Sequence, residues 1–456
     1  MQIQLSQALN NNSLYDLISE TNTKDLDTKL NNNKLTLKNW GNKNNTIFKI
    51  LKYDKAFLSK DNEDTGKFRS VIFNTDHELV CYAPPKSISV EKFMEQNKEN
   101  ENVYYEEFIE GTMINMFYEK NNDTWEIATR TSVGGNVYFF NDESNKKTFY
   151  DMFQEVCDHI GFNDYSNMNK EYVYSFVMKH PDNRIVDPNN EKQLYLIDIY
   201  KCNTNNQSYT IDYISTRDNN LENFGLCSSI KMPIQYMNNI LNDENLKKSN
   251  DYYASHNTPY QIMGIVIKNK NGNRCKIRNP NYEMVRKLRG NQPKLQYQYF
   301  VLRNANKVKE YLKYYKENSK KFELYRDQLH LFTMGLFQNY ISCYIKKEKP
   351  LNEFPEHFRT HMYKLHHDIY MQTLKENKKY VNFEVVKNYV NTLHPSQQMY
   401  SVNYSKYNNK NEFKFKPEDS KSSNEASTKA TKDTTIVNDT CLTQENEDET
   451  NKEECA

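Results

Sequence analysis

The spacing of apolar residues changes once along this chain of 456 residues, close to Pro293. Before Pro293, short apolar or β-branched runs stand between polar turns, a pattern that predicts β-strands. After Pro293, apolar residues recur at intervals of three and four, which predicts amphipathic helices. We therefore expect an α+β fold, with a domain of antiparallel sheets and flanking helices followed by an all-α domain.

The individual elements follow from these two patterns. Strands are predicted at 70–74, 113–118, 124–129, 172–178, 194–200, 209–213 and 261–267. One helix is predicted within the first domain at 149–160, and three are predicted behind it at 322–336, 358–369 and 383–393. The predicted domains are a polar N-terminal segment at 1–45, the α+β domain at 46–292, the all-α domain at 293–398 and a disordered acidic tail at 399–456.

Charge is unevenly spread along the chain. The net charge is +1, but residues 417–456 carry −7, which leaves +8 on the rest. Residues 417–456 include no aromatic residue and cannot bury enough apolar surface to offset their ordering entropy. The mildly basic remainder is compatible with a phosphate-bearing ligand.

The cysteines and the apolar runs indicate the compartment. The eight cysteines are scattered and form no C-x-x-C pair, which argues against a zinc site and favours reduced thiols. No run of apolar residues is long enough to cross a bilayer, and the first residues lack a signal-peptide pattern. We expect an intracellular, cytoplasmic protein with no membrane partner.

Seven short motifs follow one another in a fixed order in the first domain. They are R-S-V-I-F-N at 69–74, A-P-P-K at 83–86, E-F-I-E-G-T at 107–112, W-E-I-A-T-R-T-S at 125–132, F-V-M-K-H-P-D-N-R-I-V at 176–186, I-M-G-I-V-I at 262–267 and K-I-R-N-P-N-Y at 276–282. This order and spacing resemble the ATP-dependent RNA ligases of the phage RNA ligase 1 type, within the covalent nucleotidyltransferase superfamily. The resemblance covers roughly residues 46–292.

The resemblance implies a reaction that this chain is not equipped to perform. In that family a lysine attacks the α-phosphate of ATP, and carboxylates hold a divalent metal that neutralises phosphate charge. Here the lysine position is Phe108, and the two carboxylate positions are Val177 and Met263. No catalytic residue, metal ligand or cofactor is therefore assigned, and ATP and Mg²⁺ are expected only if the pocket is open.

The cations of the family pattern are kept. The positions that the resemblance places near phosphates are Arg69, Lys86, Arg130, Lys276 and Arg278. A phosphate-binding skeleton without a nucleophile predicts a pseudoenzyme that binds nucleotide or RNA phosphates. The Asn, Lys and Tyr bias together with such a ligase domain resembles proteins of large DNA viruses infecting protists, so a host cytoplasm or a virion is the expected location.

Two other functions stay open at this stage. One is an active RNA ligase or nucleotidyltransferase with a relocated nucleophile, for which Lys86 is the candidate. The other is a structural protein that keeps only the fold and binds a protein partner through the all-α domain or the tail.

Several residues have plainer interpretations. Glu110 and Gly111 are expected to keep a backbone turn, and Asn183 and Arg184 to stabilise another. His357 and His361 lie four apart on a predicted helix, and we interpret them as surface histidines because no carboxylate completes a metal-binding spacing. Helix packing is predicted for Tyr297, Tyr299, Tyr314 and Tyr315.

Overall fold

A computed structural model of the protein divides into two compact units, with the boundary between Lys287 and Leu288. It describes residues 2–5, 13–20, 22–41, 46–57, 63–97, 103–138, 147–189, 191–205, 207–216, 221–239 and 243–412. The tail predicted to be disordered lies outside the described residues from 413 onward. No described helix is long and apolar enough to cross a membrane.

The described strands of the first unit form three antiparallel sheets. They are β1 (Gln2–Gln4), β2 (Leu35–Gly41), β3 (Ile47–Tyr53), β4 (Val71–Phe73), β5 (Leu79–Tyr82), β6 (Val103–Glu107), β7 (Thr112–Glu119), β8 (Thr124–Ala128), β9 (Tyr172–Lys179), β10 (Gln193–Asn205), β11 (Ser208–Ile214), β12 (Gln235–Asn239), β13 (Gly264–Asn269) and β14 (Arg274–Arg278). The six-stranded sheet has the order β1-β11-β10-β9-β7-β8, the N-terminal sheet β2-β3-β4-β5, and the β6 sheet β12-β6-β13-β14.

Helices pack on the faces of these sheets. They are α1 (Leu14–Ser19), α2 (Thr23–Asn32), α3 (Glu63–Gly66), α4 (Val90–Gln96), α5 (Phe149–Ile160), α6 (Asp243–Tyr253) and α7 (Pro280–Arg289). The predicted α5 is confirmed: Thr148 forms a capping box with Asp151, and the buried Phe149, Phe153 and Val156 share one helix face. They pack in one core with the six-stranded sheet, where each buried side chain contributes roughly 1.5–3 kcal/mol. The predicted fold class is confirmed.

The N-terminal segment is part of the sheets. Strand β1 pairs with β11, and β2 pairs along its whole length with β3. Leu14, Leu17 and Ile18 of α1 belong to the core shared with the N-terminal sheet. The sequence pattern predicted a separate polar segment at 1–45, ahead of the domain. The burial of these three side chains explains why the segment packs into the domain instead.

The regular secondary structure of the second unit is helical wherever its residues are described. The helices are α8 (Leu295–Asn304), α9 (Val308–Tyr314), α10 (Ser319–Tyr340), α11 (Glu356–Lys364), α12 (Phe383–Thr392) and α13 (Pro395–Glu412), with π-helical segments at Ile341–Ile345 and Leu365–Leu374. The three predicted helices of this part overlap α10, α11 and α12. Tyr299 and Tyr315 are buried in helix packing, as predicted.

Helix α13 corrects the predicted start of the tail at residue 399. Its buried residues include Gln398, Ser401 and Asn403, which are polar. Gln398 donates to the carbonyl of Val390 at 2.8 Å, and Asn403 donates to the side chain of Gln296 at 2.6 Å. Apolar spacing does not detect a helix that is held by buried hydrogen bonds.

His361 corrects a second prediction, because it is not a surface histidine. Its Nδ1 lies 2.8 Å from the hydroxyl of Tyr389 on α12, and its Nε2 lies 3.0 Å from Ser401 Oγ on α13. Burial lowers the pKa of His361 to about 4, and the charge of Lys364 acts in the same direction. The imidazole is therefore neutral in the folded unit and joins three helices.

We predict that the helical unit loses stability as the pH falls from about 6.5 to about 4. The unfolded chain takes up a proton at His361 in this range and the folded chain does not, so protonation favours unfolding by up to about 3 kcal/mol. Calorimetric unfolding temperatures at pH 7.5 and pH 5, for the chain and for His361→Gln, measure the effect. An equal pH dependence in both proteins contradicts the assignment.

Candidate functional site

A pocket lies between the six-stranded sheet and the β6 sheet. It encloses about 140 Å³ and is lined from the end of β6, the start of β7, the end of β8, and parts of β9, β13, β14 and α7. Its lining combines apolar side chains with seven cationic and two acidic side chains. A concave site with an apolar floor and converging charges suits a ligand that is anionic at one end.

The three positions where the sequence lacks its expected reactive groups meet in this pocket. Phe108, Val177 and Met263 all line it, although they come from distant parts of the chain. Phe108 follows β6, Val177 lies on β9, and Met263 directly precedes β13. The motif order therefore located one common site.

Phe108 lies against two of the predicted phosphate-binding cations. The Nζ of Lys276 is 4.6 Å from the centroid of its ring, and the Cζ of Arg278 is 5.6 Å from it. Lys276 and Arg278 are two apart on β14 and so share one face of the strand. A cation over an aromatic face contributes roughly 0.5–1 kcal/mol when exposed and more when it is desolvated.

Arg69 and Arg130 line the same pocket from the other side. Arg69 is buried and donates from Nη1 to the carbonyl of Pro84 at 3.3 Å. Arg130 donates from Nη2 to the carbonyl of Tyr53 at 3.2 Å, and its Cζ lies 4.5 Å from the centroid of that tyrosine ring. Lys86, the fifth predicted cation, is not among the described residues that line the pocket.

Three further cations of the pocket were missed by the sequence analysis: Lys268, Arg274 and Arg286. Arg274, Lys276 and Arg278 alternate along β14, so this spacing of basic residues is a signal that could have found Arg274. Lys268 is the partner of Arg274 in the β13–β14 register. No sequence signal within the motifs identifies it.

Lys268 and Arg274 share a buried carboxylate. Asp198 follows an irregularity in β10 and accepts from both the Lys268 ammonium and Arg274 Nη1, the second at 3.3 Å. The hydroxyl of Tyr200 donates to the same carboxylate at 3.2 Å. Burial is the largest single influence and lowers the pKa of Lys268, but Asp198 together with Tyr213, Glu106 and Tyr104 holds that pKa well above its usual range. We call Asp198, Lys268 and Arg274 the triad, and it joins the six-stranded sheet to the β6 sheet.

Glu110 holds the loop that follows β9. Its buried carboxylate accepts from the backbone N–H groups of Ile185, Val186 and Asp187 at 3.1–3.3 Å. Burial raises the pKa of Glu110, and the N–H donors from Val186 and Asp187 oppose that shift. These bonds occupy the carboxylate, so its role is to connect two of the motifs.

Gly111 is required by the close approach of β7 to β9. A Cβ atom at this residue would lie 2.5 Å from the carbonyl oxygen of Met178 and 2.7 Å from Cγ1 of Val177, and its φ is +154°. The E-G pair therefore fixes backbone geometry beside the pocket, as expected from the sequence. Nearby, Asn183 donates to the hydroxyl of Thr112 at 2.7 Å, and Arg184 donates to the carbonyl of Val186 at 3.1 Å.

The pocket keeps donors that lack an acceptor. The buried Nε atoms of Arg130 and Arg274 have no hydrogen-bond partner among the described residues. A buried N–H without an acceptor costs roughly 1–3 kcal/mol. By contrast, Arg278 and Arg286 are partly neutralised by Glu283, at 2.7 Å and 3.2 Å.

The described residues contain one cluster with a metal-like arrangement, and it lies outside the pocket. Glu155, His180 and Asp182 place their ligand atoms within 4.8 Å of one another. Lys147 and Lys192 contact Glu155 at 2.7 Å and 2.8 Å, and they lower its pKa to about 2. A carboxylate already held by two ammonium groups is poorly suited to a cation, so the cluster is an ion-pair network.

The chain is similar to solved structures of ATP-dependent RNA and DNA ligases. No protein-family model and no curated protein matches it. An archaeal ATP-dependent RNA ligase is 12% identical, with a TM-score of 0.39 over 71% of this chain and 83% of that one. A Naegleria gruberi RNA ligase with PPi is 13% identical, with a TM-score of 0.31 over 45% of this chain.

A putative ATP-dependent DNA ligase from Aquifex aeolicus is 12% identical, with a TM-score of 0.34 over 86% of this chain and 80% of that one. The chain spans 58% of the length of the Naegleria gruberi ligase. Similarities of this size are no basis for assigning an activity or a ligand.

We predict that Asp198→Asn destabilises the first unit by about 3–5 kcal/mol, because it leaves two buried cations without their counter-charge. Lys201→Ala is a matched control, since the Lys201–Glu171 pair has side chains 36% and 61% exposed. Its loss costs less than about 1 kcal/mol. Both tryptophans, Trp40 and Trp125, lie in this unit, so urea unfolding followed by their fluorescence measures the difference. Equal costs for the two variants contradict the assignment of the triad.

Proposed function

We propose that this chain binds nucleotide or RNA phosphates in the pocket without forming a covalent adduct, as a ligase-like pseudoenzyme. The observation that carries the proposal is the contact of Phe108 with Lys276 and Arg278. Lys276 and Arg278, two cations of the kind that bind phosphate, are present. The unreactive ring of Phe108 lies where the attacking amine is expected. A phenyl ring has no lone pair with which to attack phosphorus.

The pocket also fits a divalent metal poorly. Val177 and Met263 stand at the expected carboxylate positions and offer no oxygen ligand. The acids of the lining are Glu106 and Glu107, and no group of three ligand-type residues includes them among the described residues. Mg²⁺ prefers several oxygen ligands in octahedral geometry. A metal-assisted transfer of AMP therefore lacks both its nucleophile and its metal site.

Phosphate binding requires only the groups that remain. Arginine presents a planar fork that matches phosphate oxygens, and lysine adds a compact positive charge.

The alternative of an active RNA ligase with Lys86 as a relocated nucleophile is less well supported. Lys86 is absent from the described lining, and its backbone N–H is bonded to the carbonyl of Gly66 at 3.0 Å. No observation on the described residues favours a different protein as the partner of the all-α unit, and the tail lies outside those residues from 413 onward. A viral source and an intracellular location, in a host cytoplasm or a virion, belong to the same proposal.

We predict that the full chain, incubated with α-labelled ATP and Mg²⁺, acquires no covalent AMP. The reason is that Phe108 cannot attack phosphorus, and Val177 and Met263 at the expected carboxylate positions offer no ligand for a metal. Denaturing gels of the labelled protein, with an active ATP-dependent ligase as positive control, give the readout. An acid-labile AMP label on any lysine of this chain contradicts the proposal.

We also predict that Lys276→Ala weakens ATP binding about ten-fold or more, because charge-assisted contacts to phosphate contribute about 1.5–3 kcal/mol each. Lys201→Ala, outside the pocket, should bind as the parent chain does. Isothermal titration calorimetry at two salt concentrations measures affinity, and the difference between the variants should shrink at high salt. Equal affinities of Lys276→Ala and the parent chain contradict the cation assignment.

A further inference from the structure

Helix α10 carries apolar residues on two opposite faces. Its buried face, which includes Phe322 and Leu336, packs against other helices of the second unit. The opposite face exposes Leu324, Leu331 and Met334, which are 55%, 66% and 38% exposed. At 3.6 residues per turn, the two sets lie about half a turn apart. A row of exposed apolar side chains along one helix is typical of a surface that binds another protein.

The exposed row follows a heptad repeat. Its positions alternate at intervals of three and four residues, as the a and d positions of a coiled coil do. They are Leu324, Asp327, Leu331, Met334, Gln338 and Ile341, which we call the α10 seam. Ile341 has helical dihedral angles and continues the helix, so the seam is about 26 Å long. A seam with this spacing fits a second α-helix.

The α10 seam is complementary to itself when two copies run antiparallel. In that arrangement the a positions of one helix face the d positions of the other. Leu331 then faces Met334 of the second copy at the centre of the seam, and Leu324 faces Ile341 of the second copy at each end. A two-fold axis through the centre repeats every contact, as a closed dimer requires.

The polar positions of the α10 seam favour the same orientation. In the antiparallel pair Asp327 faces Gln338 of the second copy, whose side-chain amide is a donor for the carboxylate. The contact of Asp327 with Arg326, at 3.0 Å, joins side chains that are 61% and 64% exposed, and such a surface pair contributes little. In a parallel pair Asp327 faces the same carboxylate of the second copy, and like charges repel. Charge complementarity therefore selects a second, antiparallel copy of α10.

We propose that this chain forms a two-fold dimer through the α10 seam, a property that goes beyond the binding of phosphates in the pocket. Each copy contributes four apolar side chains along one helix. An interface of this size lies near the lower limit for specific contacts, so the dimer dissociates on dilution through micromolar concentrations. The sequence analysis identified only the buried face of α10, because the pattern does not show which of two apolar faces the fold covers.

Sedimentation velocity of the full chain, from about 1 to about 200 µM, tests the proposal across the range expected for a small interface. The parent chain should change from monomer to dimer. Leu331→Glu should weaken this association about ten-fold or more, because it buries two charges at the centre of the seam. Since Leu331 is 66% exposed, the variant should unfold at the same temperature as the parent chain. Tyr380→Glu, at a residue that is 77% exposed outside the seam, should dimerise as the parent chain does.

Gln338→Lys tests the orientation of the two helices. In the antiparallel dimer the new lysine faces Asp327 of the second copy, twice per dimer, and should tighten association about two-fold or more at low salt. In a parallel dimer the two lysines would face each other and weaken it. A parent chain that stays monomeric, a Leu331→Glu variant that dimerises like the parent chain, or a Gln338→Lys variant that dimerises more weakly would overturn the proposal.

Discussion

The pocket depends on the ion pairs that the buried carboxylate of Asp198 forms with Lys268 and Arg274. This carboxylate lies on β10 of the six-stranded sheet and contacts Lys268 and Arg274 from two strands of the β6 sheet. Because these charges are shielded from water, they attract one another strongly. Removing one of the three groups leaves a buried charge without its partner. The triad sets the position of β14, and β14 carries Lys276 and Arg278. The placement of the phosphate-type cations therefore follows from a contact at the base of the pocket.

The positions of Lys276 and Arg278 also explain why phenylalanine is tolerated at residue 108. A lysine at this position would stand close to Lys276 and Arg278, and like charges repel. An aromatic ring is attracted to both cations instead. Under our proposal, phenylalanine at this position is unreactive and also avoids that repulsion, in keeping with the trade-off between activity and stability at functional sites. Val177 and Met263 extend the apolar floor in the same way.

Part of this account could be predicted from the sequence. The motif order brought Phe108, Val177 and Met263 to one pocket, and the change of apolar spacing near Pro293 separated sheets from helices. The triad could not be predicted, because Asp198 is 70 residues from Lys268 and 76 from Arg274, so no local pattern joins them. Helix α13 was missed because its buried residues are polar. Strands β2 and β3 were missed among Asn-rich neighbours, where pairing and burial outweigh the local composition.

A crystal structure of the full chain with ATP tests the central claim most directly, since it shows both where the phosphates bind and whether a bond to the protein has formed. Our account predicts triphosphate oxygens within hydrogen-bond distance of Lys276 and Arg278, beside an intact Phe108 ring, with no bond to any side chain. AMP joined covalently to a lysine, or triphosphate bound away from this pocket, would contradict it.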